Sequence, residues 1–168
     1  ISAEGDANNY VTELISEKIW VPMGAKYDGY YLVDPAGIAY AGGGFSLNLN
    51  DMAIFGEIIR NHGKLGRYEV ISKEAVEEFS SGGDPELFAK GGEYPLLKGW
   101  SYHNFWWITN NEHKAFMARG VHGQAIYIDP VAEMVIVRFA SNPLSSNKYI
   151  DPVSIPAYEA IAEYLMEK

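Results

Sequence analysis

The sequence predicts an α+β chain: a mainly helical stretch to about residue 99, then an antiparallel sheet closed by a terminal helix. Three observations point there. Apolar residues recur at helical spacing in the first part, short runs rich in β-branched and aromatic residues follow between turn signals, and helical spacing returns at the end.

From Asn8 to Trp20, Val11, Ile15 and Ile19 stand four apart with Tyr10 and Leu14 beside them, and Pro22 and Gly24 follow. That pattern predicts an amphipathic helix with its stop. Ala25 to Leu47 is aromatic and Gly-rich, with Asp34-Pro35-Ala36-Gly37 as a turn and Gly42-Gly43-Gly44 as bare backbone, so short strands or a structured loop are expected. A second helix is capped by Asn48 with Asp51 at the third position; Met52, Phe55, Ile58 and Ile59 form its stripe and Gly63 lies just past its end. Ser72 caps a shorter helix to about Phe79, and Ser80 to Gly99 reads as a long loop. Strands are expected over Tyr102–Thr109, Phe116–Arg119, Gln124–Asp129 and Met134–Ala140, the last two joined as a hairpin through 129–133. Ser154 as cap, Pro156 in the first turn, and Tyr158, Ile161, Ala162 and Leu165 at helical spacing predict a terminal helix lying on that sheet.

With 168 residues and 48% of them hydrophobic, the chain can bury a core. Thirteen Lys and Arg against 22 Asp and Glu give a formal charge of -9, which disfavours nucleic acid as a partner. The absence of cysteine removes disulfides, thiolate metal sites and a Cys nucleophile. No apolar run approaches the roughly 20 residues of a membrane span, so no membrane partner is expected. The chain begins on Ile rather than Met, and its first residues, acidic and small, read like the middle of a loop; an upstream segment is expected.

Candidate chemistry is sparse. His62, His103, His113 and His122 lack spacing that would aim two imidazoles at one ion, so no metal or cofactor is expected. Glu74, Glu77, Glu78, Glu159 and Glu163 read as solvated helix faces. Ser145-Ser146-Asn147-Lys148 matches Ser-x-x-Lys, which on a helix sets an amine one turn from a hydroxyl, but it follows Asn142-Pro143 in a loop without helical periodicity. In the stretch 116–130, Gly120 and Gly123 flank Val121-His122, implying a close approach to the backbone or a bulge. Adjacent Trp106 and Trp107 must face opposite sides of a strand, one toward the core and the other toward a cleft, partner or solvent. Packing aromatics and a glycine bulge account for the same residues.

In this order several segments resemble the penicillin-recognising (β-lactamase/transpeptidase-like) fold. They are Ile19-Trp20-Val21-Pro22-Met23-Gly24-Ala25, Ala41-Gly42-Gly43-Gly44-Phe45-Ser46 leading into Asn50-Asp51-Met52-Ala53-Ile54-Phe55-Gly56, Tyr102 to Trp107, Gly120-Val121-His122-Gly123-Gln124 with Ile126 to Pro130, and Pro156-Ala157-Tyr158. The likeness is to the branch of serine hydrolases holding class C β-lactamases, family VIII carboxylesterases and 6-aminohexanoate-dimer hydrolases. Such enzymes transfer acyl groups: a Ser on a Ser-x-x-Lys helix attacks, the Lys and a Tyr move the proton, and two backbone N–H groups hold the oxyanion. The resemblance sets Ala118-Arg119-Gly120 on the third motif, Lys-Thr-Gly in β-lactamases, and makes the Val121 N–H an oxyanion donor beside Gly120. A register shifted onto Val121-His122-Gly123 stays open. Only the glycine matches, which favours ester or linear amide substrates over β-lactams. Trp107, Phe45 and His122 are the implied substrate-binding residues.

The family carries its Ser-x-x-Lys and Tyr motifs upstream of the stretch that begins here. The resemblance therefore implies a C-terminal portion, with residues 1–99 belonging to a helical domain and 100–168 to the sheet and C-terminal helix of an α/β domain. The N-terminal half of the same hydrolase, covalent or held after a cleavage, is the implied partner. Two rival readings remain at this level: a non-catalytic binding or structural module on the same fold, and catalysis within the chain through Ser145 and Lys148.

Overall fold

The computed structural model describes residues 10–40, 42–92 and 94–168. The expected helix start at Asn8, and Ala41 of the quoted motif, lie outside them. Helix α1 (Tyr10–Ile15) continues as a wider π turn over Ser16–Trp20. The aromatic segment then folds back as the two-residue strands β1 (Tyr30–Tyr31) and β2 (Phe45–Ser46), paired antiparallel. Asp34 closes the expected turn, its Oδ1 accepting the N–H groups of Ala36 and Ile38 at 2.9 Å each.

Helix α2 (Leu49–Arg60) starts at Asn48, whose Oδ1 accepts the Asp51 N–H at 3.0 Å. A small hairpin of β3 (Lys64–Leu65) and β4 (Tyr68–Glu69) separates it from α3 (Lys73–Ser80), whose cap, Ser72, accepts the Ala75 N–H at 3.2 Å. Gly56 marks where α2 presses onto the sheet: a Cβ there would lie 2.6 Å from Val135 Cγ1.

The main sheet is a five-stranded antiparallel meander in strand order β5-β6-β7-β8-β9: β5 (Ser101–His103), β6 (Trp106–Ile108), β7 (Phe116–Arg119), β8 (Ala125–Asp129) and β9 (Met134–Arg138). Register puts Trp107, Met117, Tyr127 and Ile136 in one cross-strand row and Ile108, Phe116, Ile128 and Val135 in the next. Because side chains alternate, the rows belong to opposite faces. On one face α5 (Asp151–Met166) contributes Ile155, Tyr158 and Ala162 to a core with Met117, Tyr127 and Met134. On the other, Ile59 of α2 and Val76 of α3 close over Trp106, Phe116, Ile126 and Ile128.

Three local expectations change. The run Tyr102–Thr109 is two strands, because Asn104 and Phe105 both take positive φ (43° and 70°) and make a two-residue hairpin turn. Glu78 of α3 braces that turn, accepting from His103 Nε2 at 2.8 Å and Asn104 Nδ2 at 2.6 Å. The loop after Ser80 contains α4 (Pro85–Lys90), capped by Asp84 with Pro85 in its first turn. Helix α5 begins at Asp151-Pro152, three residues before the expected cap, so Pro156 is interior and the Ser154 Oγ donates to Ile150 O instead. Ile155, Tyr158 and Ala162 are its buried apolar face, whereas Ile161 and Leu165 are exposed. Among the described residues no helix is long and apolar enough to cross a membrane.

Candidate functional site

Strand β7 ends at Arg119, and the chain turns over Gly120–Gln124 into β8. A backbone census of that turn is almost complete. The Gly120 N–H donates to Gln124 O at 2.9 Å, and the Gln124 N–H returns to Val121 O at 3.4 Å. The His122 N–H donates to Ser145 O at 3.0 Å, while His122 O accepts from the Asn142 N–H at 3.1 Å. Gly120 O accepts from Asn147 Nδ2 and the Gly123 N–H donates to Asn147 Oδ1, both at 3.0 Å. Gly123 O accepts from Arg138 Nε at 2.6 Å. Among the described residues the Val121 N–H alone in this turn has no partner, on a residue 59% exposed. Backbone donors are rarely left so unless water or a ligand takes them.

Of the two flanking glycines, Gly123 is required sterically, while a Cβ on Gly120 would lie 3.0 Å from Gln124 Cβ. Gly123 has φ +92°, and a Cβ on it would collide with the Asn142 side-chain nitrogen. His122 itself takes φ 60°, and its Nδ1 lies 2.7 Å from Asn142 O. A carbonyl only accepts, so the His122 Nδ1 is the donor in this bond.

Beneath the turn lies a buried ion pair. Arg119 Nη2 donates to both Asp151 oxygens at 2.7 and 2.8 Å, tying the end of β7 to the start of α5, with both side chains more than nine-tenths buried. Burial pushes the Asp151 carboxyl up, against the pull of Arg119. The guanidinium also stacks over the Trp107 ring, 4.5 Å from its centroid. Phe88, Tyr94 and Tyr102 meet Trp107 edge-on at 5.4–5.6 Å, so the indole stands in an aromatic box and is partly exposed. Trp106 lies on the other face, stacked on Phe79 at 5.2 Å and buried.

Phe45 is also on that other side. It packs on Trp20 and Tyr31 and lines an apolar cavity of about 250 Å³ with Met52, Phe55 and Ile126. Phe45 and Trp107 therefore do not share one wall. The structure brings together Gly120, Val121 and His122, joins Trp107 to them through Arg119, and leaves Phe45 apart. Ser145 lies in a bend and Lys148 in a single 3₁₀ turn, with the Lys148 ammonium 5.0 Å from the Tyr149 ring, so no α-helix aligns the tetrad 145–148. A cleft of about 560 Å³ beside the α2 cap, lined by Lys26, Tyr27, Asp28, Tyr30, Ser46, Leu47 and Asn48, holds none of the expected site residues.

No family model matches the chain. The 6-aminohexanoate-dimer hydrolase of Paenarthrobacter ureafaciens is 32% identical over 131 residues, which are 78% of this chain and 33% of the relative. The chain belongs to that β-lactamase-like hydrolase family. A solved structure, "Putative 6-aminohexanoate-dimer hydrolase from Bacillus anthracis", superposes with TM-score 0.75 at 34% identity, covering 91% of this chain and 38% of its own. A "putative beta-lactamase" from Bacteroides dorei DSM 17855 shares the fold, with TM-score 0.53 at 20% identity over 82% of this chain and 49% of its own. The chain thus spans about a third of the length of its curated relative and matches the family as a C-terminal portion.

Sequence reasoning missed the residues that build the turn: Asn147, Asn142 and Arg138 reach it from 15–27 residues away. No local signal singled out Asn147, which lies in a 3₁₀ turn four residues before α5.

Proposed function

We propose that these residues are the C-terminal part of a serine hydrolase that cleaves ester or linear amide bonds through an acyl-enzyme. In this reading a Ser-x-x-Lys serine and a Tyr come from an N-terminal portion of the same hydrolase. The serine Oγ attacks the carbonyl carbon, Lys and Tyr pass its proton to the leaving group, and water later releases the acyl group. The tetrahedral oxyanion is held by two N–H groups, the serine's own and that of Val121. Linear amides are the class favoured, since the curated relative is named for the 6-aminohexanoate dimer and Ala118-Arg119-Gly120 keeps only the glycine of Lys-Thr-Gly. Trp107 and His122 are read as cleft residues.

The carrying observation is the lone unpartnered Val121 N–H in a turn whose other backbone groups are all satisfied. Support for an N-terminal partner comes from exposed apolar residues, Tyr27, Tyr30, Leu32, Val33 and Tyr40, and from β9, which pairs only with β8 among the described strands. In the joined hydrolase Val121→Ala should be mild. Val121→Pro, which deletes the N–H, should lower turnover of p-nitrophenyl acetate by ~10²–10³-fold. A Val121→Pro protein that keeps its circular dichroism spectrum and near-normal turnover moves the donor elsewhere.

A further inference from the structure

Asn147 is attached to the turn by both atoms of its side-chain amide. Its Nδ2 donates to Gly120 O, and no other described group reaches that oxygen. Gly120 O and the Val121 N–H belong to one planar trans peptide, so they point in opposite directions from a single rigid unit. Fixing the oxygen fixes where the N–H points. Glycine on one side of that peptide offers little steric resistance to its turning over. A hydrogen bond on the carbonyl also polarises the N–H of the same amide and strengthens it as a donor.

We propose that Asn147 is a positioning residue: by holding Gly120 O it sets the plane of the Gly120–Val121 peptide and aims the Val121 N–H at the developing oxyanion. The inference rests on the reading of Val121 as a donor. The second Asn147 bond, from the Gly123 N–H to Oδ1, anchors the far end of the turn and keeps the amide oriented. The two bonds have different consequences, and substitutions separate them. Asp at 147, ionised at neutral pH, still accepts from Gly123 but cannot donate to Gly120 O.

The test uses the joined hydrolase with p-nitrophenyl acetate, and folding of each variant is checked by circular dichroism. The expectation is that Asn147→Asp and Asn147→Ala both lower kcat by about 10–100-fold, less than the full loss of a donor, with KM within about twofold. If Asn147 merely braces the turn, Asn147→Asp keeps wild-type kcat, and the proposal is overturned. Should Asn147→Ala not fold, Asn147→Asp decides; loss of folding in both makes Asn147 a fold-holding residue and also overturns it. Val121→Pro in parallel separates the two levels. A folded, fully active Val121→Pro removes the donor reading and this proposal with it, whereas an impaired Val121→Pro beside two unimpaired Asn147 variants removes the proposal alone.

Discussion

Trp106 and Trp107 are neighbours in sequence and live in different chemical worlds. Trp106 faces α2 and α3, where Phe79, Ile108, Phe116, Ile126 and Ile128 make an apolar layer. Trp107 faces the α5 side, where a buried guanidinium covers its ring and Arg119, Asp151, Tyr127 and Tyr158 put polar atoms into the core. One face is packing; the other combines packing with a buried ion pair that ends at the candidate turn. An apolar layer is stabilised by area alone, whereas a buried ion pair repays its desolvation only with good geometry.

The comparison is broken most severely at the ion pair. Asp151→Ala leaves Arg119 charged and unpaired in the core and should cost about 3–5 kcal/mol in urea unfolding. Replacing both partners, Arg119→Met with Asp151→Leu, should recover most of that loss. A double variant as unstable as the single would mean that the pair supplies net stability and that the two faces do not differ in this way.

The tryptophans come next. Trp106→Ala should cost about 3–5 kcal/mol by cavity formation without selectively changing KM. Trp107→Ala, removed from a partly exposed box, should cost less, about 2 kcal/mol, and alter kcat or KM in the joined hydrolase. Unchanged kinetics with Trp107→Ala would separate the α5 face from the substrate.

The smallest effect is a difference in pH response between two buried aspartates. Burial would raise Asp51, but N–H groups of Lys26 and Tyr27, the Asn48 amide and the Lys26 charge hold its carboxyl below the ordinary range. Its stabilisation is therefore complete above the unfolded value of about 4 and lost as pH falls through the depressed folded value. Asp151 has the opposite sign. Its raised carboxyl binds a proton more tightly folded than unfolded, so stability declines as pH climbs from about 4 through the raised folded value. Urea midpoints across pH should thus lose their acid-side slope in Asp51→Asn and the slope just above it in Asp151→Asn; identical profiles would contradict both assignments.

How much of this was legible beforehand follows from range. Asn48, Asp51 and Ser72 caps act over three residues, and both helices start where those residues sit. Strand β7 also agrees with its expected range, since its β-forming run is bounded by turn residues. Helix α4 departs from the expected loop although Asp84-Pro85-Glu86 is a start signal, because glycines flank its six residues on both sides. The hairpin at Asn104–Phe105 was invisible because a left-handed Phe is costly and its brace, Glu78, lies more than 20 residues earlier. For the site, Gly120 and Gly123 announced a tight backbone passage. That Arg119 would pair with Asp151, or that the side chains of Asn147 and Arg138 and the backbone of Asn142 would complete the turn, depends on tertiary contacts that no local pattern encodes.

The order of the sheet carries a kinetic consequence. Every strand from β5 to β9 pairs with its neighbour in sequence, so closing each hairpin orders only a short loop. Docking α2 on β8 and β9, by contrast, closes a span of more than 60 residues. Short closures are fast and long ones slow at similar stability, which places the meander early on the folding route and the helix late. Ile128→Val should then slow refolding, while Gly56→Ala, which disturbs the α2 contact with Val135, should chiefly speed unfolding. Stopped-flow rates with those two effects exchanged would place the nucleus at the helix instead.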